Sequence, residues 1–274
     1  MKTSEEYYNR GVSKAKLEDY RGAIADFTNA IELNPNYAAA YSIRGVSKFV
    51  LEDYKGSIAD YTKVIELNPN DADAYFNRGI SKDELEDYRG AITDYTKLIE
   101  LNPNDADVYY NRGVSKAKLE DYTGSIADYT KAIELNSNNA VAYSNRGFSK
   151  AKLEDYRGAI ADYTKAIELN PNDAKASYGR GFSKAKLEDY RGSIADYTMA
   201  IELNPNDATA YYGRGFSKAK HEDYRGAIAD YTMAIELNPN YSDAFLSRGN
   251  SKAKLEDYRG FIADYTKAIE LNPN

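Results

Sequence analysis

The sequence predicts an all-α solenoid built from eight copies of one two-helix unit. A 34-residue pattern repeats from residue 4 onwards, and residues 140–173 show a clear copy. Each copy holds two runs rich in Ala, Lys, Glu, Leu and Ile, which favour helix. A fixed period of this size is typical of a solenoid, in which each unit buries its apolar face against its neighbours. We therefore expect a single array over residues 1–274, without a central core.

The two helices of a unit are predicted from the copy at 140–173. The first is expected from Ala140 to about Leu153 and the second from Tyr156 to Leu169. Asp155 is a suitable N-cap for the second helix, and Pro171 prevents its continuation. The unit boundaries are 4–37, 38–71, 72–105, 106–139, 140–173, 174–207, 208–241 and 242–274. We number positions within each unit from its first residue.

Glycine stands at the eighth position of all eight units. A glycine inside a helix costs about 1 kcal/mol relative to alanine. A cost repeated in every unit suggests that the paired helix approaches closely there, with Ala or Ser opposite at the twentieth position. Large residues in the second helix follow a spacing of four, three and four, which places them on one buried face. They are Tyr156, Ile160, Tyr163 and Ile167.

These residues together resemble the tetratricopeptide repeat, over residues 4–274. In the fifth unit the resemblance rests on Tyr143, Gly147, Tyr156, Ala159, Tyr163, Ala166 and Pro171. It implies stacked antiparallel helix pairs wound into a right-handed superhelix. It also implies that the first helices line a concave groove, and that the usual activity is binding peptide segments of other proteins.

Two charged positions depart from that family's pattern. The seventh position is Arg in every unit, and the twenty-third is Asp in every unit, as in Arg146 and Asp162. We infer an Arg–Asp ladder that ties each first helix to a second helix. The alternative is a basic stripe in the groove that binds acidic ligands.

Composition limits the function classes. The chain has 36 Lys and Arg against 43 Asp and Glu, a net charge of −7, which argues against nucleic acid as the main partner. It has no Cys and one His, His221, so it lacks most nucleophile–base and metal-ligand sets. We expect no enzymatic activity, no catalytic residue, no metal and no cofactor.

No stretch of the sequence is apolar enough for a membrane span or a signal core. We therefore expect a cytoplasmic protein without membrane insertion.

The groove positions vary between units, and the resemblance implies that they contact ligand. The expected peptide-binding residues are aromatic at position five, Asn at position six and apolar at position nine. They are Tyr8, Phe76, Tyr110, Tyr178 and Tyr212; Asn9, Asn77, Asn111 and Asn145; and Ile80, Val114, Phe148, Phe182 and Phe216. Exposed apolar stripes mark interaction sites. The alternative is that positions five and nine pack between neighbouring first helices.

The Asn residues resemble part of the asparagine ladder of superhelical family members, which holds peptide backbone. The Lys and Asn pair with which chaperone-binding members clamp a terminal carboxylate, at positions five and nine, is absent from all eight units. Lys152, Lys186 and Lys220 at position thirteen would flank the groove, or would be ordinary solvated charges.

The sequence thus favours a non-enzymatic scaffold that binds a protein or peptide in its concave groove. Two alternatives stay open. The array could self-associate into a homo-oligomer through exposed apolar ends, or it could be the repeat arm of a larger multidomain protein.

Overall fold

The structure is a computed structural model that describes residues 2–272, and every regular element in this range is an α-helix. Two compact units divide the chain, at 1–137 and 138–274, and each holds four helix pairs. The first unit contains α1 (Ser4–Lys16), α2 (Tyr20–Leu33), α3 (Ala38–Val50), α4 (Tyr54–Leu67), α5 (Ala72–Glu84), α6 (Tyr88–Leu101), α7 (Ala106–Lys118) and α8 (Tyr122–Leu135). The second contains α9 (Ala140–Lys152), α10 (Tyr156–Leu169), α11 (Ala174–Lys186), α12 (Tyr190–Leu203), α13 (Ala208–Lys220), α14 (Tyr224–Leu237), α15 (Ser242–Lys254) and α16 (Tyr258–Leu271).

The predicted all-α fold of repeated helix pairs is confirmed, and the helix ends lie within one residue of those expected for 140–173. Within each compact unit, every first helix packs on its own second helix, and that second helix packs on the next first helix. The boundary between the compact units follows Ser137, where the other repeat junctions have Pro. The continuity of one array over residues 1–274 stays a prediction.

The turn between the paired helices is the same in all eight 34-residue repeats. Asp155 caps α10 by accepting a hydrogen bond from the Gly158 backbone N–H at 2.9 Å, as predicted. Glu154 has a φ of 61°, and its equivalents also have positive φ. Its N–H donates to Ala151 O, and the N–H of Asp155 donates to Lys150 O. This pair of hydrogen bonds is the Schellman motif that ends a helix. Glu154 therefore closes the first helix.

The recurring glycine lies against an aromatic ring. A Cβ added to Gly79 would lie 2.7 Å from Tyr95 Cε1, and one added to Gly11 would lie 2.7 Å from Phe27 Cε1. The close approach inferred from the sequence is present, but the main partner is the ring at position twenty-four and not the small residue at position twenty. That small residue instead faces the next first helix, as in the hydroxyl pair of Ser57 and Ser81 at 3.0 Å.

The predicted Arg–Asp ladder is confirmed in all eight repeats. It also includes the lysine at position eleven, which the sequence analysis did not assign to it. In the seventh repeat, Arg214 Nε and Nη2 donate to the two carboxylate oxygens of Asp230 at 2.9 and 2.7 Å. Lys218 Nζ lies 2.8 Å from Asp230 Oδ2. Arg214 Nη1 also donates to Thr198 Oγ1 in the preceding repeat, at 3.2 Å. The carboxylate is buried and both cations are largely buried, which is inconsistent with a basic stripe available to ligand.

The same network sets the ionisation of its carboxylate. The hydrogen bonds from Arg10, and then those from Lys14, lower the pKa of Asp26 to about 2 despite its burial. The Asp26 carboxylate is therefore charged at every physiological pH.

We predict that removing one such carboxylate is far more destabilising than removing an exposed one. Asp196→Ala leaves Arg180 and Lys184 without their shared anion, at an expected cost of about 3–5 kcal/mol. Glu168→Ala, which breaks an exposed pair with Lys165, should cost about 0.5 kcal/mol or less. Urea unfolding followed by circular dichroism compares the two variants. Equal midpoints would contradict a structural role for the ladder.

Candidate functional site

A cavity of 570 Å³ opens between two neighbouring first helices of the second compact unit. The walls come from α9 and α11, and side chains from α10 contribute to its floor. Five aromatic residues line it: Phe148, Tyr156, Tyr163, Tyr178 and Phe182. Charged side chains share the lining: Lys152, Lys175, Lys186, Glu154 and Asp207. Cavities of this size that combine aromatic walls with placed polar groups are typical of ligand sites.

Glycine at position six allows a tyrosine of the cavity lining to lie against the neighbouring first helix. A Cβ added to Gly179 would lie 2.4 Å from Tyr163 Cζ and 2.7 Å from its hydroxyl oxygen. Any other residue in this backbone would therefore displace the tyrosine, whose ring lies directly against the helix. Gly213 and Tyr197 repeat the arrangement one repeat later, also at 2.4 Å. A glycine inside a helix needs a packing reason, so Gly179 and Gly213 could have indicated this contact from the sequence. The prediction for position six concerned only its Asn residues.

Three Phe residues at position nine lie at the surface with a lysine over each ring. Phe148, Phe182 and Phe216 are 47, 36 and 37% exposed. The lysine four residues later lies above the same ring, with Nζ 5.3, 5.4 and 5.6 Å from the ring centroids. These distances suit cation–π contact. The lysines are Lys152, Lys186 and Lys220, for which the sequence left open a place beside the groove and an ordinary solvated charge.

A second cavity repeats the arrangement between α13 and α15. Its volume is 400 Å³, and its lining includes Phe216, Lys220, Tyr231, Asn250 and Lys254. Both cavities of the second compact unit are thus lined by a position-nine Phe, the Lys four residues after it and the Tyr at position twenty-four.

The aromatic residues at position five are half-buried, and their rings pack tilted or edge-on against the second helix of their own repeat. The ring of Tyr178 lies 5.4 Å from that of Tyr197, and Tyr212 lies 5.6 Å from Tyr231. The same pairing holds in the first compact unit for Tyr8, Phe76 and Tyr110, with Phe27, Tyr95 and Tyr129 at 5.9, 6.3 and 5.9 Å. These residues therefore serve packing through their own second helices, and two of them also reach the next first helix. The Tyr212 hydroxyl lies 3.4 Å from Ser247 Oγ on α15, and Tyr178 is hydrogen-bonded to Thr209 on α13. The alternative of packing between first helices is therefore correct for these two residues.

The position-six Asn residues do not form one uniform row. Asn9 is exposed, whereas Asn77, Asn111 and Asn145 are half-buried. The amide of Asn77 donates to the Asp73 carbonyl of its own helix at 2.8 Å, so that donor is already engaged. Ile80 and Val114 at position nine are also half-buried. The predicted site residues that line one described cavity are Phe148, Tyr178 and Phe182, and Phe216 lines the other.

Side chains with catalytic potential are sparse. His221 is exposed and is the C-cap residue that follows α13. The other seven first helices have Leu at this position. Among residues 2–272 no group of three or more His, Asp or Glu is placed to hold a metal ion. Within the same range, no helix has the length and hydropathy needed to cross a membrane.

One carboxylate of the first compact unit stands at a position that is apolar in the other seven repeats. Asp83 accepts hydrogen bonds from Tyr95 Oη and Ser115 Oγ, both at 2.7 Å, and so joins α5, α6 and α7. Burial raises its pKa above the usual value, and these two hydrogen bonds only partly offset that effect. The sequence analysis did not single out Asp83, although its departure from Ala at position twelve was visible.

Comparison with protein families finds the tetratricopeptide repeat throughout the chain. One model described as "Tetratricopeptide repeat" matches residues 4–37, 106–139, 140–173 and 208–241, and another with that description matches 242–274. A model described as "TPR repeat" matches 47–81, 84–120 and 183–222. None of the curated proteins compared with the chain matches it.

Solved structures share the fold. YrrB, titled a TPR protein with an unusual peptide-binding site, is 29% identical, with a TM-score of 0.59; the match covers 66% of this chain and 93% of YrrB. A tetratricopeptide repeat protein from Parabacteroides merdae is 19% identical, with a TM-score of 0.64, and covers 90% of this chain and 98% of its own. PilF from Pseudomonas aeruginosa is 18% identical, with a TM-score of 0.63, and covers 74% of this chain and 92% of its own.

We predict that Asp83 makes stability fall with rising pH. Because its pKa is higher in the folded state, its contribution is complete below the unfolded-state pKa and is lost as pH rises through the folded value. Asp83→Asn keeps an acceptor but cannot ionise. The variant should therefore gain stability relative to the parent between about pH 4 and about pH 7. Urea midpoints at both pH values measure this, and a pH-independent difference would contradict the burial of a charged Asp83.

Proposed function

The chain belongs to the tetratricopeptide-repeat family, whose fold is a general protein–protein interaction scaffold, and from this premise we propose that its second compact unit binds a peptide segment of a partner protein. The proposed site is the surface of α9, α11, α13 and α15 that holds the two cavities. We call it the second-unit groove. Its role is binding, without catalysis, metal or cofactor.

The observation that carries this proposal is the concentration of exposed aromatic rings around an open cavity. Phe148 and Phe182 lie on the walls of the 570 Å³ cavity and remain substantially exposed. Exposed aromatic groups beside a preformed pocket supply the anchors that dominate interface energy. A peptide side chain placed between these rings would bury apolar surface that the fold itself leaves in water.

The floor of the cavity also offers polar groups. Burial raises the pKa of Tyr163, so its phenol keeps its proton at neutral pH, whereas the Tyr178 hydroxyl is already hydrogen-bonded to Thr209. A neutral hydroxyl can donate to or accept from a peptide backbone. The printed title of YrrB assigns a peptide-binding site to that protein, which gives further support by similarity.

Self-association is the second candidate, and the last helix offers an observation in its favour. Tyr258, Ile262 and Ile269 on α16 are each 61% exposed. In the three preceding repeats of the same compact unit, the corresponding second helix is covered by the next first helix. A second copy could in principle cover α16 in the same manner.

Two residues oppose end-to-end stacking of copies. At position three, the other repeats have buried Ala or Val, and Ala40 packs with Ala23 and Phe27 of the preceding second helix. Glu6 stands at this position in α1 and would bring a carboxylate into such a contact. Phe261 stands where the other second helices have fully buried Ala or Ser, and would hinder close approach. Peptide binding is therefore the better supported function.

We predict that peptide binding depends on the exposed Phe rings. Peptide-display selection against the chain should enrich ligands that bind at least about tenfold more weakly to the variant with Phe148, Phe182 and Phe216 changed to Ser. The matched control changes Met199, Leu203 and Met233 to Ser, because these residues are similarly exposed on second helices of the same compact unit. Equal loss in both variants, or none in the first, would contradict the groove assignment.

We predict a monomer of 30.7 kDa over about 1–100 µM, because Glu6 and Phe261 oppose stacking. The double variant Glu6→Ala, Phe261→Ala restores the residue types of the other repeats and should associate as its concentration rises. Analytical ultracentrifugation compares the two proteins. A parent mass that rises with concentration would favour the second candidate function.

A further inference from the structure

The two compact units differ sharply in charge. Residues 1–137 contain 17 Lys and Arg against 24 Asp and Glu, whereas residues 138–274 contain 19 of each. The entire net charge of −7 therefore belongs to the first compact unit. The difference is not spread evenly over the surface, because many of these charges neutralise one another inside the Arg–Asp–Lys networks.

The first helices show the difference most clearly once those networks are set aside. Position-seven Arg and position-eleven Lys of every first helix are committed to a buried Asp. The charges left on the first helices of the second compact unit are five lysines and one aspartate: Lys152, Lys175, Lys186, Lys220, Lys254 and Asp243. None of these six forms an ion pair with any residue in the described range.

The first compact unit shows the opposite balance at the corresponding helices. There the remaining charges are two lysines and six acids: Lys16, Lys118, Glu5, Glu6, Asp73, Asp83, Glu84 and Asp107. When Asp83 is left out, because its carboxylate is engaged within the packing, the first helices carry a remaining charge of −3 in the first compact unit and +4 in the second. Since the networks are identical, the contrast comes only from the variable positions.

The lysines of the second compact unit are placed beside the apolar anchors. Lys152 and Lys186 line the 570 Å³ cavity and extend over the rings of Phe148 and Phe182. Their ammonium groups lie over the rings and so border the apolar surface. A ligand side chain on the Phe rings would therefore lie next to a positive charge in successive repeats.

Two acids also line this cavity, and they do not cancel the lysines. Asp207 caps α13, and one of its oxygens accepts hydrogen bonds from the Thr209 N–H, at 2.9 Å, and hydroxyl. Glu154 lies in the turn after α9. Against these acids stand Lys152, Lys175 and Lys186, so the lining has an excess of positive charge.

We propose that the second-unit groove selects an acidic peptide segment, in which an aromatic or large aliphatic anchor is flanked by Asp or Glu. This inference rests on the proposed function and adds the ligand class. The anchor occupies the aromatic cavity, and the flanking carboxylates pair with lysines on neighbouring first helices. Charge complementarity of this kind contributes to association rate and to selection between partners.

The test uses the full chain and two labelled peptide pools of the same length with identical Phe and Leu anchors. One pool has Asp and Glu at the flanking positions, and the other has Lys and Arg. Fluorescence anisotropy should show at least about tenfold tighter binding of the acidic pool, with a preference that falls as salt rises from about 50 mM to about 500 mM.

A charge-reversal variant tests the lysines directly. Lys152→Glu, Lys186→Glu, Lys220→Glu should weaken the acidic pool about tenfold or more and improve the basic pool. The control is Arg157→Glu, Arg191→Glu, Arg225→Glu, which makes the same change in net charge at exposed positions on the second helices. The control should retain the preference for acidic peptides, and circular dichroism verifies that both variants keep their helix content.

The outcomes separate this inference from the proposed function. Equal or tighter binding of the basic pool by the parent chain would overturn the acidic preference while leaving groove binding intact. An equal loss in the lysine and arginine variants would overturn the role of the lysines. No binding of either pool, together with no enrichment in peptide display, would overturn the proposed function itself.

Discussion

A buried carboxylate held between an arginine and a lysine is the constraint on which each repeat depends. Asp230 receives both donors of the Arg214 fork and also contacts Lys218, and the arginine reaches back to Thr198. One side chain thus fixes three helices: its own, the paired second helix and the preceding second helix. A buried ion network of this kind contributes geometric specificity more than net stability, and it penalises any register in which a charge is left unpaired.

This constraint determines where variation is tolerated. Positions seven, eleven and twenty-three are committed to the network, and position eight must remain glycine beneath the ring at position twenty-four. Other first-helix positions, among them six and nine, differ between repeats, whereas position ten is Ser in every repeat. The differences between Asn145, Gly179 and Ser247 at position six, or between Val114 and Phe182 at position nine, therefore alter the surface without changing the scaffold.

Local substitutions of this kind account for the asymmetry between the compact units. In the second, glycine at position six lets a tyrosine lie against the neighbouring first helix, and phenylalanine with lysine borders the resulting cavity. In the first, Asp83 replaces an apolar residue and binds Tyr95 and Ser115 across three helices. One compact unit gains an open aromatic surface, and the other gains a polar link within its packing.

The sequence by itself determined the helix pairs, their caps and the Arg–Asp ladder, because these follow from periodicity and from residues identical in every repeat. It also indicated which positions vary. Only the tertiary structure decided that Gly79 meets Tyr95, that Lys218 shares the carboxylate of Asp230, and that Glu154 closes a helix. It also decided that Tyr178 is engaged by Tyr197 while Phe182 stays exposed. Periodicity assigns a residue to a helix face, whereas its exposure depends on side chains from other helices, which have no fixed separation in sequence.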